Sequence, residues 1–307
     1  MKKDKNNQNT ELILDEIDNY ISDICAVDPF PDRSRLVTII NNYFYFHFSN
    51  NYNLRNCLKR YQSELLRNST IDYIHEVNKY FLYLLYKLNI NHVDDKYLPT
   101  EVKGYILEDF GNVIRIIKDN KKFDYSYGNY IYFSYSRVLL FNRLPVGVVN
   151  LDVDLFCRSV LFRQTLKGGI DFIKCYITSR GSRPYFQLHY NPHRFRKFTP
   201  DGWREAISLT DDLLKIMPQV KGVCGAAWFF DPILKLVSPE LCYLRELFES
   251  VGGKFFYNGC SDEDREDAFA MSKKRKDAFE AGIYEPVNYL MILPRKTLFD
   301  NVSRLNL

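Results

Sequence analysis

Predicted strands and helices alternate over the C-terminal part of the chain, and this alternation limits the possible folds more than any other feature. The predicted strands are PYFQLHY, GVCGAAWFF, KFFYNG and PVNYLMILPR, and the helices between them are TPDGWREAISLTDDLLKIM, SPELCYLRELFESVGG and DEDREDAFAMSKKRKDAFEAG. Thr199-Pro200 and Ser238-Pro239 are typical starts of helices, and Gly252-Gly253 is a typical end. Helices long enough to cross over a sheet predict an α/β or α+β fold with at least partly parallel strands.

The preceding part of the chain is predicted to be mainly helical. Residues 1–10 contain no apolar residue after Met1, which predicts a disordered tail. Apolar residues recur every three or four positions over residues 12–91, apart from a proline-containing loop, DPFPDRS, and a further helix is predicted over residues 101–118. We therefore predict a tail (1–10), a helical region (11–120) and an α/β domain (121–307).

Three shorter elements are predicted before PYFQLHY. KFDYSYGNYIYFSYS is rich in Tyr, Phe and Ile, which favours a strand. An amphipathic helix is predicted from about Asp152 to the Gly168-Gly169 pair, and IDFIKCYIT predicts a second strand. The predicted fold is thus a helical N-terminal region followed by a mixed sheet flanked by helices.

The composition is that of an ordinary globular protein, with 46% hydrophobic and 26% charged residues. The net charge of +4 is lower than that of dedicated nucleic-acid-binding proteins, so no nucleic-acid partner is expected. The 7 cysteines include no CxxC and no pairing with histidine at zinc-ligand spacing, which predicts reduced thiols, a cytoplasmic location and no metal site. The apolar stretch YFLYLLYKLNI is too short to cross a bilayer, and MKKDKNNQNT does not resemble a signal peptide. No membrane insertion is expected, while secretion through a non-cleaved signal stays open.

A basic segment precedes one of the predicted helices. His193, Arg194, Arg196 and Lys197 lie immediately before the helix start at Thr199. A helix N-terminus offers backbone N–H groups and a partial positive charge to anions, and basic side chains add to that attraction. The segment therefore predicts a site for phosphate or carboxylate, with a solvated basic surface loop as the alternative.

His189 is the candidate for acid–base chemistry. In PYFQLHY it shares a strand face with Tyr185 and Gln187, close to the basic segment. A neutral imidazole can take a proton near pH 7, although a core histidine with one hydrogen bond is the alternative. Asp231, which follows GVCGAAWFF, is predicted either to orient His189 or to cap the turn after it.

Three further side-chain groups have structural alternatives. Tyr243 lies within the predicted helix after Ser238 and is either a general acid facing a cleft or part of the core. Ser238 is predicted to be the N-cap of that helix. Residues 273–276, Lys-Lys-Arg-Lys, follow an acidic first half of their helix and therefore suggest a solvated helix face that complements the macrodipole.

The segment SPELCYLRELFESVGGKFF resembles the second half of the GNAT acyltransferase fold, in which a helix runs into Gly and Phe before a strand. The arrangement LHY…FTPDGW…AAWFFDP…SPEL is similar to uncharacterised bacterial proteins with a GNAT-like C-terminal region, over about residues 140–295. The resemblance implies that PYFQLHY and GVCGAAWFF are the splayed strands of that fold. It also implies that acyl-CoA lies between them, with its pyrophosphate on the helix near Thr199. The chain departs from the family pattern in two ways: of the glycine-rich phosphate loop only Gly202 is present, and Phe248 replaces a tyrosine.

Two functions are therefore considered. The first is a CoA-dependent N-acyltransferase that moves an acyl group to a small-molecule or peptide amine, with His189 as the general base and Tyr243 as a possible acid. The resemblance implies that backbone N–H groups of the splayed strand polarise the thioester carbonyl. In this hypothesis the basic segment and Gly202 hold acyl-CoA, and Trp228 lines the acyl pocket. The second is a non-catalytic binding or regulatory protein that retains an acyltransferase-like shell.

Overall fold

The computed structural model describes residues 71–119, 130–155, 159–178, 184–270 and 272–305. The chain divides into two compact units, one of residues 1–97 and 103–143 and the other of residues 98–102 and 144–307. The predicted tail and the helices and loop predicted before Ile71 lie outside the described residues, as does the predicted domain boundary at residues 120–121.

The first unit contains three described α-helices: α1 (Ile71–Asn89), α2 (Thr100–Asp119), whose first residues are assigned to the second unit, and α3 (Tyr130–Leu139). α1 and α2 confirm the predicted helices at these positions. Their apolar faces meet where the rings of Tyr86 and Phe110 lie 5.9 Å apart.

α3 corrects the strand predicted for KFDYSYGNYIYFSYS over residues 130–136, while residues 122–129 of that prediction lie outside the described residues. Within α3, Tyr132, Tyr135 and Leu139 are buried, which is a helical spacing of three and four residues. The Tyr132 hydroxyl also donates a hydrogen bond to the Asn78 carbonyl oxygen, at 3.4 Å. The abundance of Tyr and Phe suggested a strand, but the spacing of the buried residues determines the helix.

The second unit is built on a six-stranded sheet in the order β1-β2-β3-β4-β6-β5. Its strands are β1 (Arg143–Val146), β2 (Val149–Leu155), β3 (Pro184–Tyr190), β4 (Gly222–Ala227), β5 (Lys254–Gly259) and β6 (Asn288–Pro294). β3 and β4 are parallel, while β2–β3, β4–β6 and β5–β6 are antiparallel. The sheet is therefore mixed, as predicted for this α+β fold.

Seven α-helices of the second unit are described. They are α4 (Leu166–Thr178), α5 (Pro200–Ile216), α6 (Leu234–Val237), α7 (Cys242–Ser250), α8 (Asp262–Ala270), α9 (Lys273–Glu280) and α10 (Arg295–Asn301). α5, α7 and α10 pack on one face of the sheet through Trp203, Phe248 and Leu298, which line a small apolar cavity with strand residues. α4 packs on the other face, where its buried Phe172 joins a cluster with Tyr185 and Ile292.

Two predictions for the chain between β1 and β3 are wrong. β2 occupies residues 149–155, where a helix was predicted to begin near Asp152. α4 includes IDFIKCYIT, where a strand was predicted. In α4, Phe172 and the pair Cys175 and Tyr176 contact the core, and this spacing of three and four residues belongs to a helix.

The predicted charged helix is divided into α8 and α9, and its basic cluster is not a fully solvated face. Arg275 is 6% exposed and donates hydrogen bonds to the Ala268 carbonyl oxygen (2.6 Å) and to the Ser238 hydroxyl (3.0 Å). Its guanidinium group lies 4.8 Å from the centre of the Trp228 ring. Ser238 makes no side-chain capping bond, which corrects its predicted role as an N-cap.

Candidate functional site

The parallel strands β3 and β4 separate towards their carboxyl ends. Their ladder pairs Phe186 with Val223 and Gln187 with Cys224. Beyond this point, β3 continues through residues 188–190 and β4 through residues 225–227, Gly-Ala-Ala, without further pairing between them. A Cβ on Gly225 would lie 2.9 Å from the Leu188 Cβ, so the two strands are still close at these residues. In sheets with parallel strands, ligands bind at the carboxyl ends of those strands, so the ends of β3 and β4 are the candidate site.

His189 lies on the diverging part of β3 and contacts a buried carboxylate. Its Nε2 is 2.9 Å from Oδ2 of Asp152 on β2, and the side chains are 34% and 1% exposed. In the antiparallel register His189 lies opposite Asn150, and Asp152 lies opposite Gln187, so the two side chains are diagonal neighbours on one sheet face. The buried carboxylate holds a proton on Nε2, which leaves Nδ1 as the basic nitrogen.

Asn191 connects this strand end to the basic segment. Its Nδ2 donates to Oδ1 of Asn150 at 3.3 Å, and its Oδ1 accepts the N–H of His193 at 3.1 Å. Asn150 and Asn191 are both buried. Asn191 therefore connects Asn150, which lies opposite His189 in the sheet, to His193 of the basic segment.

Asp231 does not orient His189. Its carboxylate accepts the backbone N–H groups of Ile233 and Val287, each at 3.0 Å. The first of these bonds is the predicted capping of the following turn, and the second fixes the chain just before β6. Burial raises the pKa of Asp231, and the two N–H groups and Arg245 oppose that rise.

The basic segment is the 3₁₀ turn Pro192–Lys197, named here the basic turn, and its cations differ in accessibility. Arg194 is 6% exposed, whereas Arg196 is exposed. The Lys197 ammonium lies 3.2 Å from the carboxylate of Glu205. Burial, together with the nearby Arg194, lowers the pKa of His193, which favours a neutral ring. Among these four side chains, Arg196 is therefore best placed to meet an anion from solvent.

The basic turn lies directly against the first turn of α5. Thr199 is the N-cap, and its hydroxyl accepts the N–H of Gly202 at 3.2 Å, as predicted for a helix start. A Cβ on Gly202 would lie 2.0 Å from the Lys197 carbonyl oxygen, so this close backbone approach requires glycine. Pro200 has no N–H, and the Asp201 carboxylate pairs with Arg204. The N–H of Gly202 is therefore already bonded and Pro200 offers none, which leaves fewer backbone N–H groups at this helix end for an anion.

Tyr243 and Phe248 belong to α7, which packs on the same face of the sheet as α5 and α10. The Tyr243 hydroxyl is 3.5 Å from the Phe198 carbonyl oxygen, and burial raises its pKa to about 12. The phenol is therefore protonated at neutral pH and can donate a proton but not accept one. Phe248, which stands where the GNAT family has a tyrosine, is 2% exposed, and its ring lies 5.8 Å from that of Trp203. Phe248 is therefore a core residue.

The raised pKa of Tyr243 predicts a loss of stability at high pH. The folded state keeps the phenol proton more tightly than the unfolded chain, whose tyrosines titrate near pH 10. This contribution to stability is present below about pH 10 and is lost as the pH rises towards about 12. Urea unfolding followed by far-ultraviolet circular dichroism at pH 8 to 11 is expected to show a falling free energy of unfolding. Tyr243→Phe should fall less steeply, and an equal slope in both proteins would contradict the burial of this phenol.

Trp228 follows β4 in the 3₁₀ turn Trp228–Phe230. Its ring packs against the cluster of Leu234, Val237 and Tyr284, and Arg275 covers one face of it. The side chain is half-buried. The structure thus places Trp228 at the carboxyl end of β4, within a small hydrophobic cluster.

No cluster of three or more histidine, cysteine or carboxylate side chains suitable for a metal ion is found within the described residues. None of the helices in the described part of the chain is long and apolar enough to cross a membrane.

No protein-family model matches the chain, and no curated protein sequence matches it. Among solved structures, the chain is similar to acyltransferases bound to CoA ligands. An acyltransferase in complex with decanoyl-CoA and teicoplanin matches over 70% of this chain and 65% of that chain, with a TM-score of 0.41 and 12% identity. An acyltransferase in complex with CoA and 10C-teicoplanin matches over 70% of this chain and 65% of that one, with a TM-score of 0.42 and 12% identity.

A mutant acyltransferase in complex with octanoyl-CoA matches over 71% of this chain and 66% of that chain, with a TM-score of 0.42 and 11% identity. The chain spans less than two thirds of the length of each of these structures. Similarity at these TM-scores and identities establishes no shared activity.

Proposed function

We propose that this protein is a CoA-dependent N-acyltransferase that transfers an acyl group from acyl-CoA to an amine. The observation that carries the proposal is the contact of His189 with buried Asp152, at the point where β3 and β4 separate. A partly exposed imidazole with a fixed tautomer is the arrangement expected of a general base. The proposed ligand lies beside it, at the carboxyl ends of β3 and β4.

His189 and Asp152 carry the proton transfer in this proposal. Nδ1 of His189 takes a proton from the acceptor amine as the nitrogen attacks the thioester carbonyl carbon. The Asp152 carboxylate then stabilises the imidazolium that forms. When the carbon–sulfur bond breaks, the leaving CoA thiolate takes a proton, for which the phenol of Tyr243 is the proposed donor. The imidazolium then releases its proton to solvent and the Tyr243 phenolate takes one from solvent, which restores both groups. Backbone N–H groups of β3 beyond its pairing with β4 are proposed to stabilise the negative charge on the carbonyl oxygen.

The basic turn and the start of α5 are the proposed site for the CoA phosphates. The proposed ligands are His193, Arg194, Arg196, Lys197 and the backbone around Gly202. The exposure of Arg196 makes it the principal charged contact, while Arg194 and Lys197 support the turn through their buried and ion-paired positions. Trp228, at the end of β4, is proposed to contact the acyl chain.

Binding of CoA species is expected to stabilise the protein through Arg196. A ligand at about 100 times its dissociation constant should raise the free energy of unfolding by about 2.7 kcal/mol. Thermal unfolding would be measured with free CoA, acetyl-CoA, a long-chain acyl-CoA and ATP. The Arg196→Ala variant is expected to lose the increase in midpoint that CoA species produce. A shift with ATP as large as that with CoA species would show that the site binds nucleotides in general.

Arg304→Ala is the matched control, because Arg304 is an exposed arginine on another element of the same unit. It should keep the full shift. No shift with any CoA species, or the same shift in Arg196→Ala as in the unmodified protein, would contradict the proposed donor site.

A non-catalytic binding protein is the second candidate, and specific observations favour it. Phe248 fills the core where the GNAT family has a tyrosine, and Glu205 neutralises Lys197. Binding of CoA without any transfer to amines, in a protein whose His189 variant binds equally well, would support this candidate.

A further inference from the structure

Phe195 is an exposed aromatic side chain in the middle of the basic turn. It is 58% exposed, although it is flanked on both sides by arginines. Single exposed apolar residues are common on protein surfaces and by themselves indicate nothing. The surroundings of this ring distinguish it from such residues.

The Phe195 ring is supported from within the protein. It stacks on the Phe198 ring, with centroids 6.4 Å apart and planes inclined by 12°. Phe198 in turn makes edge-to-face contacts with Tyr190 (5.2 Å) and Trp203 (5.7 Å). The Phe198 N–H also donates to the Phe195 carbonyl oxygen at 2.9 Å. The plane of the Phe195 ring is therefore held by an aromatic cluster that reaches the core.

The chemistry around the ring suits a planar ligand that carries negative charge. The next residue, Arg196, is exposed, and an arginine beside an aromatic ring can bind a phosphate while the ring stacks on a base. The nearby carboxylates are occupied, because Glu205 pairs with Lys197 and Asp201 pairs with Arg204. An anion approaching Phe195 therefore meets carboxylates whose charge is already compensated.

We infer that the solvent-facing side of Phe195 is a stacking platform for the purine base of a nucleotide whose phosphates contact Arg196. This inference deepens the proposed function and rests on it, because CoA contains an adenosine 3′,5′-bisphosphate unit. It assigns to the basic turn a preference for a base-bearing phosphate over phosphate alone. Phe195 was not among the sequence-predicted site residues, which were chosen for their charge.

The test compares ligands with and without a base on the full-length protein. Dissociation constants would be measured by isothermal titration calorimetry for CoA, ADP, 4′-phosphopantetheine and inorganic pyrophosphate. Loss of one base–aromatic stack corresponds to about a 5- to 150-fold weakening. Phe195→Ala is expected to weaken ADP and CoA by this factor and to change pyrophosphate binding less than about twofold. Phe195→Tyr, which keeps a flat ring, should retain the affinity for ADP.

Phe162→Ala is the matched control, because Phe162 is 88% exposed on another element of the same unit. It should leave all four affinities unchanged. The inference is overturned if the unmodified protein binds ADP no more tightly than pyrophosphate, or does not bind ADP. It is also overturned if Phe195→Ala weakens ADP and pyrophosphate equally.

These results separate the inference from the proposed function. Acyl transfer that depends on His189 but is insensitive to Phe195→Ala, with unchanged CoA affinity, overturns only the stacking role. Base-dependent binding of ADP and CoA without transfer to any amine overturns only the acyltransferase.

Discussion

Replacing His189 by alanine is expected to lower kcat/KM for acyl transfer by about 10²- to 10⁴-fold, the range that a general base contributes. The His189 side chain is 34% exposed, so its removal leaves no closed cavity in the core. Buried Asp152 loses its contact with the imidazole, so the free energy of unfolding should fall, while the affinity for CoA should change little. Release of the CoA thiol in the presence of amine acceptors measures the rate, and thermal unfolding measures the stability. Unaltered turnover in this variant would exclude His189 as the base.

Asp152→Asn tests the same step through the partner of His189. The carboxamide preserves the shape of the buried side chain but removes the charge that stabilises the imidazolium during proton transfer. We expect a fall in kcat with little change in the KM for acyl-CoA, because the substitution affects charge that develops in the transition state. Equal losses in binding and stability, without a specific fall in kcat, would instead indicate a structural role for the His189–Asp152 contact.

The chain provides a matched control for His189→Ala. His92 also contacts a carboxylate, with its Nδ1 3.1 Å from Oδ2 of Asp95, but these side chains are 61% and 72% exposed. This pair belongs to the other compact unit. His92→Ala is expected to leave both transfer and stability unchanged, since exposed ion pairs contribute little.

Gly202→Ala is expected to destabilise the second unit by about 1–3 kcal/mol, the usual cost of forcing extra volume into a packed position. The new Cβ would lie 2.0 Å from the Lys197 carbonyl oxygen, and because this neighbour is backbone it cannot move aside as a flexible side chain can. Either the basic turn or the start of α5 must shift. Binding of CoA species should weaken as well, because the same shift displaces the proposed phosphate site.

Gly169→Ala is the control for the Gly202 substitution. Gly169 lies inside α4, in the same unit, and a Cβ there would meet its nearest atoms at 3.8 and 4.0 Å, which are ordinary contacts. Alanine in a helix interior is expected to stabilise by about 0.5–1 kcal/mol. The 2 tryptophans of the chain, Trp203 and Trp228, both belong to this unit, so tryptophan fluorescence during urea unfolding reports on it. Equal stability of the two variants would contradict the close approach at Gly202.

Elements with clear boundary residues were predicted correctly from the sequence. Thr199-Pro200 predicted the start of α5, and the strands PYFQLHY and KFFYNG are β3 and β5. In these three elements, the residues at the ends, the spacing of the apolar residues and the length of the segment all predict the same structure. The strands predicted for residues 130–136 and for IDFIKCYIT are wrong. Aromatic and β-branched composition favoured strands there, while packing of residues three and four apart stabilises helices.

The partner of His189 was missed because β2 was missed. Residues 150–155, Asn-Leu-Asp-Val-Asp-Leu, alternate strictly between polar and apolar, which is the period of a half-buried strand. This alternation was a usable signal for β2 and would have placed Asp152 on a polar strand face. It was not sufficient to pair Asp152 with His189, since that pairing depends on which strands are neighbours and on their register.

The sequence by itself determined the fold class, the start of α5, the position of β3 and the presence of a histidine and cations near its end. These features depend on residues close together in the chain. Only the tertiary structure determined that Asp152 rather than Asp231 contacts His189, that Arg194 is buried while Arg196 is exposed, and that β3 and β4 diverge. Each of these depends on strand order and on the packing of distant segments. Such contacts are determined by the total burial and pairing of the folded chain and leave no local pattern in the sequence.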